Sequence, residues 1–327
     1  MTRRIVCALT IALAAATRPG VAADETRITN ASSVRLRTAP ATDASVAGEL
    51  PLGTELIVVG NTGGPEPWFH VRTTDRRDGW VSGALTTSVD PGRRDQIIES
   101  LVEARLREGG NFSANVQLVD LIERTAARLN DREARARFAL YRLRSLSAVL
   151  GNVPSSVRDR DIEANRADAE PYGSWIRGHL DAARYNEGGE GWIVDREYAK
   201  ALHDLHQGTA AADEIAWFYV NDGELGECEG NVTCYVEREY TRNGWYLTEH
   251  PRGRHVDESA TNIALDLNGV MDNFGRFPAV LAQFDPKTRC GELHAWLDPL
   301  TAAVTASNSM RKENAFAAIA RFAQLCK

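Results

Sequence analysis

The chain has 327 residues, of which 45 are acidic and 38 basic, for a formal net charge of −7. That acidic balance disfavours nucleic acid as a partner, and the length leaves room for more than one domain. No stretch reaches the length of a bilayer-spanning helix, so no membrane span is predicted.

The chain opens with Met1-Thr2-Arg3-Arg4, an apolar run from Ile5 to Ala16, and Val21-Ala22-Ala23 before Asp24-Glu25. A basic start, a short apolar centre and small residues before a cut predict a secretory signal over residues 1–23, cleaved after Ala23. Cys7 comes too early to follow a lipobox, so no lipid anchor is predicted. Residues 1–23 hold three arginines and no acid, so cleavage leaves the remainder more acidic still. A periplasmic or secreted location is the expectation.

Residues 24–90 read as short strands. Val34 and Leu36 point one way, and Arg35 and Arg37 the other. Pro40 opens a loop. Leu56 to Val59 is a continuous apolar run of the kind found in a core strand. Asn61-Thr62-Gly63-Gly64-Pro65 marks a turn. Trp68 to Val71 and Trp80-Val81 follow, joined by a polar hairpin from Thr73 to Gly79. Several short strands with close turns predict a small barrel or sandwich.

Val34-Arg35-Leu36-Arg37-Thr38-Ala39-Pro40, then Gly53 to Gly60, Pro67-Trp68-Phe69-His70-Val71 and Asp78-Gly79-Trp80-Val81-Ser82-Gly83, resemble the bacterial SH3 (SH3b, type 3) domain family in order and spacing. The Trp-x-x-Val followed by Gly-Trp-Val carries most of the likeness. The resemblance implies a small all-β SH3-like barrel. It also implies envelope association, since members of the family commonly sit there and some bind peptidoglycan or metals. The aromatic Ala-Leu-Tyr-Asp-Tyr type segment that builds a polyproline groove is lacking, so a proline-rich ligand is not expected. Trp68 aligns with a position that lines the groove of such barrels, on the rim between loops 38–48 and 72–79, where it would stack on a sugar or peptide face near His70 and Trp80. The competing reading makes both tryptophans barrel core. Trp80 is read as core, Trp68 stays open between groove and core, and His70 reads as an exposed histidine of no special role.

Asp90-Pro91-Gly92 predicts the boundary, with a mostly α-helical domain over residues 91–327. Helical spacing runs from Ile97 to Leu106, Val116 to Leu129 and Arg132 to Leu150. A loop with a short helix is predicted for Ser155 to Glu170. Helices follow at Tyr172–Tyr185, Tyr198–His206, Asp213–Val220, Tyr235–Glu249 and Asp257–Asn268. Short segments are predicted at Pro278–Phe284 and Leu293–Leu297, and a closing amphipathic helix from Ala302 to Cys326. Gly191-Trp192-Ile193-Val194 echoes the barrel motif, but no strands precede it, so no second barrel is predicted. Tyr246-Leu247-x-x-His250-Pro251-x-Gly253-Arg254-His255 resembles the helical hairpin of periplasmic tetratricopeptide-like proteins over one unit, and no clean repeat recurs.

Beyond the signal lie four cysteines, Cys228, Cys234, Cys290 and Cys326. An even number in an exported chain predicts disulfides. Cys228 and Cys234 flank a turn-rich loop, which favours local pairing and leaves Cys290 for Cys326. A zinc site is the alternative, but the close C-x-x-C spacing is missing.

No catalytic signature emerges. Glu99 lies in Ile-Ile-Glu-Ser without the downstream segment of a lytic transglycosylase. Glu237 is a second acid to weigh if the chain is a peptidoglycan hydrolase. His203 and His206 lie three apart without a carboxylate at metalloprotease spacing, so no metal and no cofactor are expected. Trp175, Tyr185, Trp192 and Trp217 read as helical core rather than a pocket. The expectation is a non-enzymatic envelope protein, its barrel bound to wall material or an envelope protein.

Overall fold

The structure is a computed structural model that describes residues 25–221, 228–276, 281 and 283–327. The predicted signal, residues 1–23, and most of the predicted 278–284 segment lie outside the described residues. The chain divides into two units, one ending at Arg94 and one beginning at Asp95.

The first unit is one antiparallel sheet. It comprises β1 (Thr26–Thr29), β2 (Val34–Arg37), β3 (Val46–Leu50), β4 (Glu55–Asn61), β5 (Trp68–Thr73), β6 (Asp78–Ser82) and β7 (Thr86–Ser88). Their order is β3-β2-β6-β5-β4-β1-β7. In a flat sheet β2 and β4 would stand about 14 Å apart, three steps of roughly 4.8 Å. Yet Val34 and Leu36 of β2 share one core with Leu56 of β4, together with Leu50, Phe69, Val71 and Val81. The sheet therefore curls around its own inner face, helped by register breaks after Leu36 and Val58.

One strand departs from expectation. The apolar run in β4 is not buried on both faces: Leu56 is sealed, but Ile57 is 37% and Val59 46% exposed. The strand faces solvent on one side, so β-branched residues there reflect strand propensity rather than core packing.

The second unit is mostly helical. It contains α1 (Arg94–Glu108), α2 (Phe112–Ala126), α3 (Arg132–Leu150), α4 (Asp159–Glu163), α5 (Tyr172–Arg177), α6 (Arg196–His206) and α7 (Ala212–Asn221). After these come α8 (Val232–Glu239), α9 (Trp245–Glu249), α10 (Val256–Arg276), α11 (Pro286–Ala306) and α12 (Lys312–Ala323). Side-chain caps start several of them. Asn111 accepts from the Ala114 amide, Asp131 from Ala134, Asp195 from Tyr198 and Asp285 from Lys287. Helix α2 packs on α3, α6 on α7, α10 on α12 and α8 on α11. Leu146, Ile215, Tyr246, Ile263, Leu300 and Phe322 belong to their common core.

Four helical expectations are corrected. The predicted helix 172–185 stops at Arg177, and residues 183–186 form β8 (Ala183–Asn186), paired antiparallel with β9 (Gly191–Val194). The Gly-Trp-Ile-Val stretch is thus a strand in a two-stranded hairpin. Trp192 is buried in it, its indole N–H donating to the Val157 carbonyl at 2.9 Å. The predicted short segment around Leu293 is a 21-residue helix that runs through Pro299. A proline inside a helix costs about 3 kcal/mol. Leu293, Leu297, Leu300 and Val304 are all buried on one stripe, and at roughly 1.5–3 kcal/mol each they outweigh it. The predicted closing helix from Ala302 is two helices. Asp257 draws the chain aside between them, accepting from the Ser309 hydroxyl at 2.8 Å and the Met310 amide at 2.6 Å.

The predicted helix 235–249 is also interrupted, by a π-type turn at Tyr240–Gly244 joining α8 to α9. The His250–Gly253 turn then leads into α10. The cysteine sulfurs lie 2.08 Å apart in the Cys228–Cys234 pair and 1.97 Å apart in Cys290–Cys326. All four are bonded in pairs, which leaves no thiolates for zinc.

A buried carboxyl group closes α8 just before the π-type turn. Glu239 is 1% exposed. Its Oε2 accepts from Asn243 Nδ2 at 3.0 Å, and its Oε1 has no hydrogen-bond donor. Burial first, and then the neighbouring Asp266 carboxylate, raise its pKa to about 8. A proton on Glu239 also lets the two carboxyl groups hydrogen-bond. Between the unfolded value near 4.5 and the folded one, the native state holds a proton that the unfolded chain has lost. This contribution to stability is therefore complete at low pH and disappears as pH rises through 8. Glu239→Gln is expected to remove a slope of up to about 1.4 kcal/mol per pH unit. Denaturant unfolding of parent and variant at pH 5.5 and 8.5 checks this; equal slopes would refute it.

Candidate binding site

The sheet unit carries the candidate site on its outer face. In β5, Phe69, Val71 and Thr73 turn inward, leaving Trp68, His70 and Arg72 outside. In β6, Gly79 and Val81 turn inward, leaving Asp78, Trp80 and Ser82 outside. The register pairs Trp68 with Ser82, His70 with Trp80 and Arg72 with Asp78. On the other side of β6, Arg37 of β2 stands opposite Trp80.

Two glycines make this arrangement possible. A Cβ on Gly79 would lie 2.8 Å from the Arg37 carbonyl and 2.9 Å from the Leu36 side chain. A Cβ on Gly83 would lie 2.7 Å from the Pro67 carbonyl and 3.0 Å from the Phe69 ring. The Gly-Trp-Val signature is therefore mechanical: the glycine lets β6 lie close over β2, the tryptophan faces out and the valine faces in.

Trp80 is consequently not core, contrary to the sequence reading. It is half-buried and stacks on His70, with ring centroids 4.9 Å apart and planes at 23°. His70 is placed by Asp78, whose Oδ1 lies 2.7 Å from its Nε2. Asp78 also faces the Arg72 guanidinium at 3.8 Å. Removing Trp80 should then cost only about 1–2 kcal/mol, the value of a half-buried aromatic pair. Gly79→Ala is expected to cost roughly 3 kcal/mol, because backbone must move to admit the methyl group. Thermal melts of the two variants order these costs, and a larger loss from Trp80→Ala would return that residue to the core.

Trp68 occupies a different setting. It lines a groove of about 460 Å³ with Arg35, Arg37, Thr42, Ser82 and Leu85. The predicted groove lay between loops 38–48 and 72–79. The structure keeps the first wall, through Thr42, but forms the second from the turn after β6, residues 82–85. The hairpin 73–77 lies at the far end of β5 from Trp68. His70 and Trp80 share the face but do not line the groove.

Arg35 and Arg37 give the groove its charge. Arg37 donates to the Ala44 carbonyl at 2.7 Å, which pins the loop after β2. Arg35 is exposed and makes no ion pair among the described residues. Among the described residues no acidic side chain lines the groove. An indole platform beside two cations suits a flat, carboxylate-bearing ligand. The alternation of β2 had placed both arginines outward, but only the pairing of β2 with β6 reveals that they reach Trp68.

The acids weighed in the helical unit are placed as follows. Glu99 is held by Arg137 at 2.5 Å and by the Tyr141 hydroxyl at 3.1 Å. Glu237 is exposed on α8. His203 and His206 do not converge: His203 Nε2 lies 2.9 Å from His250 Nε2, while His206 faces a cavity of α2, α3 and α6. Among the described residues no group of three potential metal ligands occurs. Trp175 stacks on His179 with centroids 4.0 Å apart, and Trp217 on His255 at 4.5 Å, so the central aromatics serve separate contacts.

Residues 32–87 match the bacterial SH3 domain family. The first unit is therefore a bacterial SH3 domain, followed by a mostly helical region. No curated protein and no solved structure matches the chain.

Proposed function

We propose that this chain is a non-catalytic cell-envelope protein whose bacterial SH3 domain binds peptidoglycan through the Trp68 groove, with the helical unit as scaffold. The observation that carries this reading is the half-buried indole beside Arg35 and Arg37 in a groove without acids among the described residues. A pyranose ring offers an apolar face to the indole. The carboxylates of wall stem peptides match the two guanidinium groups. Two disulfides suit an oxidising compartment outside the cytoplasm. Among the described residues no helix is long and apolar enough to cross a membrane.

The competing reading is a peptidoglycan hydrolase with an unrecognised acid. Glu239 has the raised pKa of a general acid. Against it stands its 1% exposure, which gives a polymeric substrate no approach. Incubation of the full chain with purified sacculi tests both readings. The expected result is co-sedimentation with the sacculi and no soluble muropeptides. Release of muropeptides would establish the hydrolase, and protein left in the supernatant would remove the wall ligand.

A further inference from the structure

His206 lies in the last turn of α6 at 8% exposure. Its ring makes no hydrogen bond among the described residues. Its nitrogens are not sealed off, so the ring edge is open to a ligand. The ring borders a cavity of about 330 Å³ within the helical unit. Ala126 of α2, Ala139 of α3, and Leu202 and Leu205 of α6 make its accessible apolar wall, over the sealed side chains of Ile122 and Phe138. Leu205 is 69% exposed, an unusual position for a large aliphatic side chain.

The cavity lining is also cationic. Arg132, Arg135 and Arg142, all on α3, line it. Arg142 is neutralised by Glu123 at 2.8 Å. Arg132 donates only to the uncharged Gln207 carbonyl, and Arg135 makes no ion pair among the described residues. Two uncompensated cations therefore share the cavity with the unpaired imidazole. Burial, and then Arg135 and Arg132, lower the His206 pKa. The ring is neutral at physiological pH and still offers one N–H.

We propose that this cavity binds a small single-tailed amphiphile of the medium-chain carboxylate class. The tail lies on Leu202, Leu205, Ala126 and Ala139. The head accepts hydrogen bonds from Arg135, Arg132 and His206. Both halves are needed: the apolar wall alone would hold a neutral chain, and the arginines alone would hold acetate as well as a longer acid.

Calorimetric titration of the full chain with octanoate, octanol and acetate tests the proposal. Octanoate is expected to bind one saturable site and to shift the His206 ring-proton resonances. Octanol should bind about tenfold more weakly, for loss of the charge-assisted hydrogen bonds, and acetate should show no saturation. Arg135→Gln, at an exposed position without partners, should weaken octanoate by a similar factor and leave the melting temperature unchanged. Octanol binding as tightly as octanoate, parent-like affinity in Arg135→Gln, or a binding isotherm that leaves His206 unshifted would each overturn the assignment. The octanol comparison needs no variant, so it decides even if Arg135→Gln folds poorly.

Discussion

Replacing Cys290 and Cys326 together by serine is expected to lower the stability of the helical unit by about 4 kcal/mol. Replacing Cys228 and Cys234 should cost only about half as much, roughly 2 kcal/mol. The difference comes from the chain that each bond closes. Cys290 and Cys326 are 36 residues apart, Cys228 and Cys234 only six. A cross-link removes more entropy from the unfolded chain when its loop is longer. The long loop also starts near the beginning of α11 and ends just after α12, so the bond ties the segment after α12 to the core near Phe322. Urea unfolding followed by helical circular dichroism measures both losses in the full chain. Equal costs for the two pairs would show that native packing around the bonds, rather than loop entropy, sets their value.

The sheet unit was largely legible in the sequence because its strands are short and alternating. Val34 and Leu36 against Arg35 and Arg37 follow a period of two, and the structure keeps that alternation. The alternation failed where chemistry and exposure part company. Val59 is apolar yet 46% exposed, and Trp80 is large and aromatic yet lies outside. In both cases residue type suggested core, while strand parity, counted from the buried neighbours Leu56 and Val81, places them outside. Parity was the better guide, because in a curled sheet the backbone fixes the face before the side chain is consulted.

Helix α3 was legible to its ends, since Asp131 caps its start and Gly151 follows its end. Helix α11 was not, because Pro299 is a local stop signal and the buried stripe that overrules it runs from Leu293 to Val304. The Trp68 groove was half legible. The aromatic could be chosen from its position in the family pattern. Its cationic partners could not, because Arg35 and Trp68 are distant in sequence and meet only through β6.

Trp68→Ala is expected to weaken sacculus binding by tenfold or more while the domain stays folded. Half the indole is already buried by the protein, so only its free face is available to ligand. Stacking on that face contributes about 0.5–1.5 kcal/mol beyond area, and the apolar area covered adds roughly another 1 kcal/mol. Each 1.4 kcal/mol is about a factor of ten in affinity, so the sum exceeds that. Arg35→Gln should act through charge instead. It removes a cation with no partner among the described residues, so folding should be untouched, and the remaining affinity should depend less on salt. Arg37→Gln is a less clean variant, because it also releases the Ala44 carbonyl and the loop behind it. Trp80→Ala supplies the control: it lies on the same face but outside the groove, so binding should survive its modest loss of stability. Co-sedimentation of these variants across a range of salt concentrations reads all four expectations. If Trp80→Ala abolishes binding and Trp68→Ala does not, the ligand lies on the His70–Trp80 stack, and the groove with its two arginines is not the site.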